Sequence, residues 1–227
     1  MLDDRTTHFS YIAMSFVAGA AFVYFLKVIE PLRKPPLRIS DKSKTVVLDL
    51  DETLIHSSTS APIFGWFGRV KCVQKTLIFG NQFVRMFIYV RPNLESFLDR
   101  VALKYNIIVI TAAEKQYAEP IIDMIDQKKR ISQKFYRSSC RALGNNVYLK
   151  DLSLIGANLK STVLVDNCET GVRLNPANSI RIKSWTGSPW DSELNKVASI
   201  LEQIESFEDI REPLVSFVQN AGLGKDE

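Results

Sequence analysis

Three short apolar runs, each ending abruptly in polar residues, limit what this chain can fold into more than any other feature. They are Thr45-Val46-Val47-Leu48 before Asp49, Asn106-Ile107-Ile108-Val109-Ile110 before Thr111, and Ser161-Thr162-Val163-Leu164-Val165 before Asp166 and Asn167. β-Branched runs without polar alternation mark strands covered on both faces, the habit of parallel sheets. Stretches with helical periodicity lie between the runs. Over 93–104, Leu94, Phe97, Leu98 and Val101 share one face, and 115–127 reads the same way. Strands alternating with helices predict an α/β doubly wound, mostly parallel sheet whose polar strand ends converge at one edge. Two segments break the rhythm. Residues 69–90 read as a hairpin or small flap around Gly80-Asn81, and 133–149 as a second β insertion turning at Gly144-Asn145-Asn146. Insertions at the mouth of such a sheet commonly control access. Residues 192–219 read as helix, broken at Pro213.

The first residues follow another pattern. From 9 to 26 no side chain is charged, and Tyr11 and Tyr24 stand near the two ends. As a helix this run spans about 27 Å, close to the hydrocarbon thickness of a bilayer. Asp3 and Asp4 precede it, unlike the positive start of a cleaved signal peptide. After it come Lys27, Arg33, Lys34 and Arg38 against Glu30 alone, a bias that places the rest of the chain on the cytosolic side. The expected layout is a tail at 1–8, a transmembrane helix at 9–28, a basic, proline-rich linker at 29–43, one folded domain at 44–219 and a polar tail at 220–227. A chain of 227 residues suits one such domain. A formal charge of +4 is too mild to mark a nucleic-acid partner. Cys72, Cys140 and Cys168 are scattered and form no Cys-x-x-Cys pair, which speaks against a disulfide framework or a zinc site.

Asp49 and Asp51 end one strand, and Asp166 ends another. Such acids at a buried edge need a cation or a partner. Any Asp-x-Asp pair can instead be a solvated, capping turn. With the third acid beside them, three carboxylates would bind a hard divalent ion, and few protein oxygens with phosphate completing the sphere suits magnesium. That set can attack a phosphate monoester. Asp49 serves as nucleophile and Asp51 as acid and then base, while Lys150 supplies counter-charge unless it is a solvated surface lysine. Thr53 and Thr111 offer hydroxyls to phosphate oxygens, or cap helices.

The segment Asp49-Leu50-Asp51-Glu52-Thr53-Leu54-Ile55-His56-Ser57 resembles the first motif of the haloacid dehalogenase superfamily, in the form used by small C-terminal-domain phosphatases. Val90-Arg91-Pro92 resembles that family's Arg-Pro step, and Thr111-Ala112-Ala113 with Tyr117-Ala118 and Pro120 its second motif. Tyr148-Leu149-Lys150-Asp151-Leu152 and Val165-Asp166-Asn167 resemble the third and fourth. The resemblance implies Mg²⁺ held by Asp49, the carbonyl of Asp51, Asp166 and Asn167, the last from behind the other ligands or through water. It implies phosphate held by Thr53, Thr111 and Ala112, with Lys150 neutralising a phospho-aspartate. Arg91 either touches substrate or pairs with a structural acid. His56 is a polar neighbour rather than a catalyst. Ala113-Glu114 stands where relatives usually carry a serine.

A span directly before such a domain is similar to the nuclear-envelope and endoplasmic-reticulum branch of the family, the Dullard type, and so are Lys183-Ser184-Trp185 and Asp209-Ile210-Arg211. That branch implies phosphoserine or phosphothreonine in proteins as substrate, lipin-like proteins among them, and a small membrane regulatory subunit. Two other readings stay open. One is a non-catalytic interaction subunit like that of the mitochondrial inner-membrane translocase, which the acidic start disfavours. The other is a soluble phosphatase acting on RNA polymerase tails, which the uncharged run disfavours.

Overall fold

The computed structural model describes residues 44–60 and 69–223. The expected tail, membrane helix and linker over 1–43 lie outside the described residues, and among the described residues no helix is long and apolar enough to cross a membrane. In chain order the elements begin with β1 (Lys44–Leu48), β2 (Ile55–Ser58), β3 (Cys72–Phe79), β4 (Gln82–Val90), α1 (Leu94–Ala102) and β5 (Tyr105–Ile110). Next come α2 (Lys115–Ile125), β6 (Ile131–Phe135), β7 (Arg141–Gly144) and β8 (Val147–Leu149). The chain closes with β9 (Thr162–Asp166), α3 (Glu169–Val172), β10 (Ser179–Arg181), α4 (Glu193–Ile204) and α5 (Arg211–Ala221).

The central sheet has five strands in the order β10-β9-β1-β5-β6, every pair parallel. The three predicted runs are its three inner strands. Their alternation sorts side chains to two faces. Val46, Leu48, Val109 and Val165 join one core with Phe97 and Leu98 of α1, Ile121 of α2, Leu201 of α4 and Leu214 of α5. Val47, Ile108, Ile110 and Leu164 join another with Leu152 and Ile155, which sit in a 3₁₀ turn, and with Phe135. Val46, Val47 and Leu48 are fully buried, each contributing about 1.5–3 kcal/mol of apolar burial.

The unequal cover of the two faces follows from topology. From β1 the chain moves to β5 and β6 on one side, then crosses back to β9 and β10 on the other. Right-handed crossovers in opposite directions must use opposite faces. The crossing from β6 to β9 carries the β7–β8 hairpin and 3₁₀ turns but no α-helix, and that from β9 to β10 the four-residue α3, so the second layer is thin. The order reverses between β1 and β9, and the C-terminal ends of strands at such a reversal are the usual ligand position.

The flap is larger than expected. β3 and β4 form the predicted hairpin, with Gly80 at φ 56 in its two-residue turn, and β2 adds a third antiparallel strand to it. The expected β insertion at 133–149 divides in two. Ile131–Phe135 is the edge strand of the central sheet, and only β7 and β8 form a hairpin outside it. The C-terminal helix breaks at 205–210 rather than at Pro213. Pro213 lies in the first turn of α5, where an absent N–H leaves no helical bond unmade. α5 also runs two residues into the predicted polar tail.

Candidate active site

Register alone brings the acids together. Leu48 pairs with Val165, and the N–H of Asp49 donates to the Val165 carbonyl at 2.9 Å, so Asp49 and Asp166 leave adjacent strands side by side. Lys150, just after β8, reaches between them. Its Nζ donates to Asp49 Oδ1 and to Asp166 Oδ2, both at 2.5 Å. Asp49 is 6% exposed, Lys150 4% and Asp166 0%, which makes this a buried, charge-assisted bridge rather than a surface pair. Burial pulls the Lys150 ammonium toward neutrality, but the two carboxylates outweigh it and hold its pKa above the ordinary value. Burial, then the charge of Asp49, pushes the Asp166 carboxyl up despite Lys150.

Leu50 to Ile55 forms a tight loop. The Leu54 and Ile55 N–H groups both donate to the Leu50 carbonyl, and Glu52 takes the left-handed conformation at φ 59. That turn directs the Thr53 hydroxyl back to Asp49 Oδ2 at 2.9 Å. Thr53, expected to hold phosphate, here donates to the Asp49 carboxylate. Asn167 completes the cluster: its amide nitrogen donates to Thr53 Oγ1 at 3.0 Å and to Asp49 Oδ2 and the Asp51 carbonyl at 3.2 Å, while its oxygen accepts from Ser184.

Asp51 stands apart from the bridge. Its Oδ1 accepts from the Tyr117 hydroxyl. Burial is the main cause that raises its carboxyl to about 6, with the charge of Asp49 adding to it against the opposing pull of Tyr117 and Lys150. Burial and Asp51 together hold Tyr117 well above an ordinary phenol, so it remains a donor. A carboxyl raised this far can give and take a proton near neutrality.

Thr111 is buried, and its Oγ1 accepts from the Ala113 N–H at 3.0 Å, a local turn rather than the cap of α2. Among the described residues nothing accepts its own O–H, which is left to donate. Ala112 is anchored through its carbonyl, which accepts from Arg137 Nε at 2.7 Å.

Arg91 is 1% exposed and makes the structural pairing that the sequence left as the alternative to substrate contact. Its Nε and Nη2 grip Asp191 at 2.8 and 2.7 Å, and its nitrogens also donate to the carbonyls of Thr53 at 3.0 Å, Glu52 at 3.3 Å and Lys183 at 3.0 Å. The guanidinium thereby clamps the loop that carries Asp51. His56 lies on β2 against Tyr89, with ring centroids 6.2 Å apart.

The side chains that sequence reasoning missed are those acting on the predicted ones: Tyr117 on Asp51, Arg137 on Ala112, Ser184 on Asn167 and Asp191 on Arg91. Tyr117 and Ser184 both lay inside motifs already singled out. Gly171 belongs with them. A Cβ there would stand 2.0 Å from Asp166 Oδ2, so only glycine lets α3 pack over that carboxylate. Gly171→Ala is expected to displace Asp166 from Lys150 and to lower turnover by about tenfold or more at nearly unchanged secondary structure, read by steady-state kinetics with circular dichroism.

The donor set suits a hard cation. Among the described residues no three acidic, histidine or cysteine side chains gather as a metal cluster. What converges instead is two carboxylates, a carbonyl and an amide, with one ammonium against two buried negative charges. Few protein oxygens and an uncompensated charge fit magnesium, which keeps waters and takes phosphate as a ligand.

Fold and site together define an α/β domain with a tight loop of acids at a parallel strand end, in keeping with the motif resemblance. The chain belongs to the NLI interacting factor-like phosphatase family, whose match covers residues 44–211. It is 34% identical over 176 residues to CTD nuclear envelope phosphatase 1 of Xenopus laevis, covering 76% of this chain and 72% of that one. It is 35% identical over 181 residues to CTD small phosphatase-like protein 2 of Dictyostelium discoideum, covering 80% and 31%. Nuclear envelope morphology protein 1 of Saccharomyces cerevisiae is 31% identical over 186 residues, with 76% and 41% covered. The chain thus spans less than half the length of the Dictyostelium discoideum and Saccharomyces cerevisiae relatives. Among solved structures, that of Fcp1, an essential RNA polymerase II CTD phosphatase, superposes with a TM-score of 0.59 at 17% identity, covering 82% of this chain and 65% of that one. At that identity the likeness speaks for the fold alone.

Proposed function

We propose that this domain is a magnesium-dependent protein serine/threonine phosphatase that carries the phosphoryl group on Asp49. One observation carries the reading. A strand-end carboxylate, Asp49, is held by Lys150 and Thr53, while a carboxyl raised to about 6 stands two residues on. A solvated turn needs neither feature, and neither does a non-catalytic interaction subunit.

Lys150 offsets the repulsion between the Asp49 carboxylate and a phosphate dianion. An Asp49 oxygen attacks phosphorus while Asp51 gives its proton to the departing ester oxygen, which keeps the electrons of the broken P–O bond. Asp51, now a carboxylate, takes a proton from the water that attacks phospho-Asp49, and inorganic phosphate leaves with Asp49 restored. The Thr111 hydroxyl and Ala112 hold phosphate oxygens. Magnesium, when bound, adds the positive charge that lets two anions approach; Asp49, the Asp51 carbonyl and Asp166 would hold it, with Asn167 behind them donating to Asp49 and to the Asp51 carbonyl.

The substrate class is phosphoserine or phosphothreonine in proteins, lipin-like proteins among them, at the endoplasmic reticulum or nuclear envelope with a small membrane regulatory subunit. The nuclear-envelope names of two relatives support that location, and the uncharged run over 9–26 supports a single-pass anchor with the domain facing cytosol or nucleoplasm. A second reading, a soluble-type phosphatase of RNA polymerase tails, comes from the motif resemblance; the names of two relatives say only CTD or C-terminal domain small phosphatase. The purified full chain in detergent should hydrolyse an aryl phosphate with Mg²⁺ and lose that turnover on chelation. A phosphopeptide panel then separates lipin-like from polymerase-tail sequences. Folded protein without metal-dependent turnover sinks the enzyme reading.

A further inference from the structure

Asp51 has one occupied oxygen and one open one. Its Oδ1 accepts from the hydroxyl of Tyr117 on α2, whereas among the described residues nothing donates to its Oδ2. The Tyr117 oxygen also lies 2.7 Å from Ser57 Oγ on β2. A phenol has a single proton, and Tyr117 gives its own to Asp51, so Ser57 is the donor to Tyr117. The relay therefore runs Ser57 to Tyr117 to Asp51 and starts from two separate elements. The three-stranded sheet that carries β2 is tied to α2 a second time, since Lys75 Nζ of β3 donates to the Pro120 carbonyl of α2 at 3.0 Å.

We propose that Tyr117 is a positioning residue for Asp51, fixing Oδ1 so that the proton of the acid sits on Oδ2 and faces the leaving oxygen. The inference rests on the phospho-aspartate reaction proposed above. The χ2 torsion of an aspartate is broad and roughly two-fold, so without the phenol the carboxyl samples orientations in which its proton points away from the ester oxygen. In the step concerned, the Oδ2–H bond breaks as the bond from that hydrogen to the departing oxygen forms, and the P–O electron pair stays with that oxygen. A leaving group that is already a weak base needs this proton little, and a strongly basic one needs it most.

The test is a series of substituted phenyl phosphates of similar size, from nitro-substituted to unsubstituted and methoxy-substituted, with kcat/KM measured for the full-length chain, Tyr117→Phe and Ser57→Ala. kcat/KM reports the reaction through phosphoryl transfer and not the later hydrolysis of the acyl phosphate. For Tyr117→Phe the expected loss grows from about threefold at the nitro end to about thirtyfold at the methoxy end, within the reach of general-acid effects. Ser57→Ala is expected to shift the same way by a smaller factor, and it keeps the test informative if Tyr117→Phe melts early. A uniform loss across the series, or none, overturns the positioning role while leaving the phosphatase reading intact. Absence of turnover by the unaltered chain overturns that reading and this inference with it.

Discussion

Asp49→Asn is expected to remove phosphatase turnover by about 10³-fold or more while leaving the fold in place. The reasoning is partly geometric. Asparagine keeps the shape of the side chain, and its oxygen still accepts from Thr53 or Lys150, so the Leu50 to Ile55 loop has no cause to move. What disappears is the anionic oxygen that bonds to phosphorus, and with it the covalent route. Removing a nucleophile from a group of residues that act together leaves only the binding and electrostatic remainder. The substitution also lowers the negative charge around Lys150, because Asp166 becomes its one carboxylate partner. The variant should therefore bind magnesium less tightly yet unfold at a denaturant concentration close to that of the unaltered chain. Turnover of an aryl phosphate alongside a denaturation midpoint checks both halves.

Arg91→Ala should act on stability, by about 3–5 kcal/mol, the cost of leaving one partner of a buried ion pair uncompensated. Asp191 is 10% exposed on its side chain and meets the guanidinium on two nitrogens. Three carbonyls, those of Glu52, Thr53 and Lys183, lose donors at the same time. Two of them belong to the loop from Leu50 to Ile55, so activity should fall with stability. Arg91→Lys is expected to recover little, since a single ammonium cannot span Asp191 and the loop carbonyls as the planar fork does. Urea unfolding followed by fluorescence gives the stability change. A variant within about 1 kcal/mol of the original would show that the clamp is not the main support of the loop.

Much of the site was legible in the sequence for one reason: inner strands of a parallel sheet are apolar on both faces, and their ends align at one edge. Asp49, Thr111 and Asp166 could therefore be grouped across more than a hundred residues without knowing which strand neighbours which. Partners joined by tertiary packing alone were not legible. Arg91 and Asp191 lie a hundred positions apart, and no local pattern marks an aspartate as the mate of one arginine. Gly171 carries no signal either, because its role is set by the carboxylate beneath it. The misread strand has a different cause. Ile131–Phe135 alternates only at its ends, with Ser132, Gln133 and Lys134 between buried Ile131 and Phe135, as suits an edge strand with one neighbour. Pro213 misled because proline breaks a helix in its interior but not in its first turn.

The residue on which all of this turns can be caught in the act. Asp51→Asn should slow hydrolysis of the acyl phosphate while a nitrophenyl leaving group still departs, so the phosphorylated chain should accumulate when mixed with such a substrate and magnesium and quenched in acid. Intact mass should then show one added phosphoryl group, peptide mapping should assign it to Asp49, and hydroxylamine should release it as expected of an acyl phosphate. A stable phosphoryl group on another residue, or product formed with none on the chain, would contradict the account.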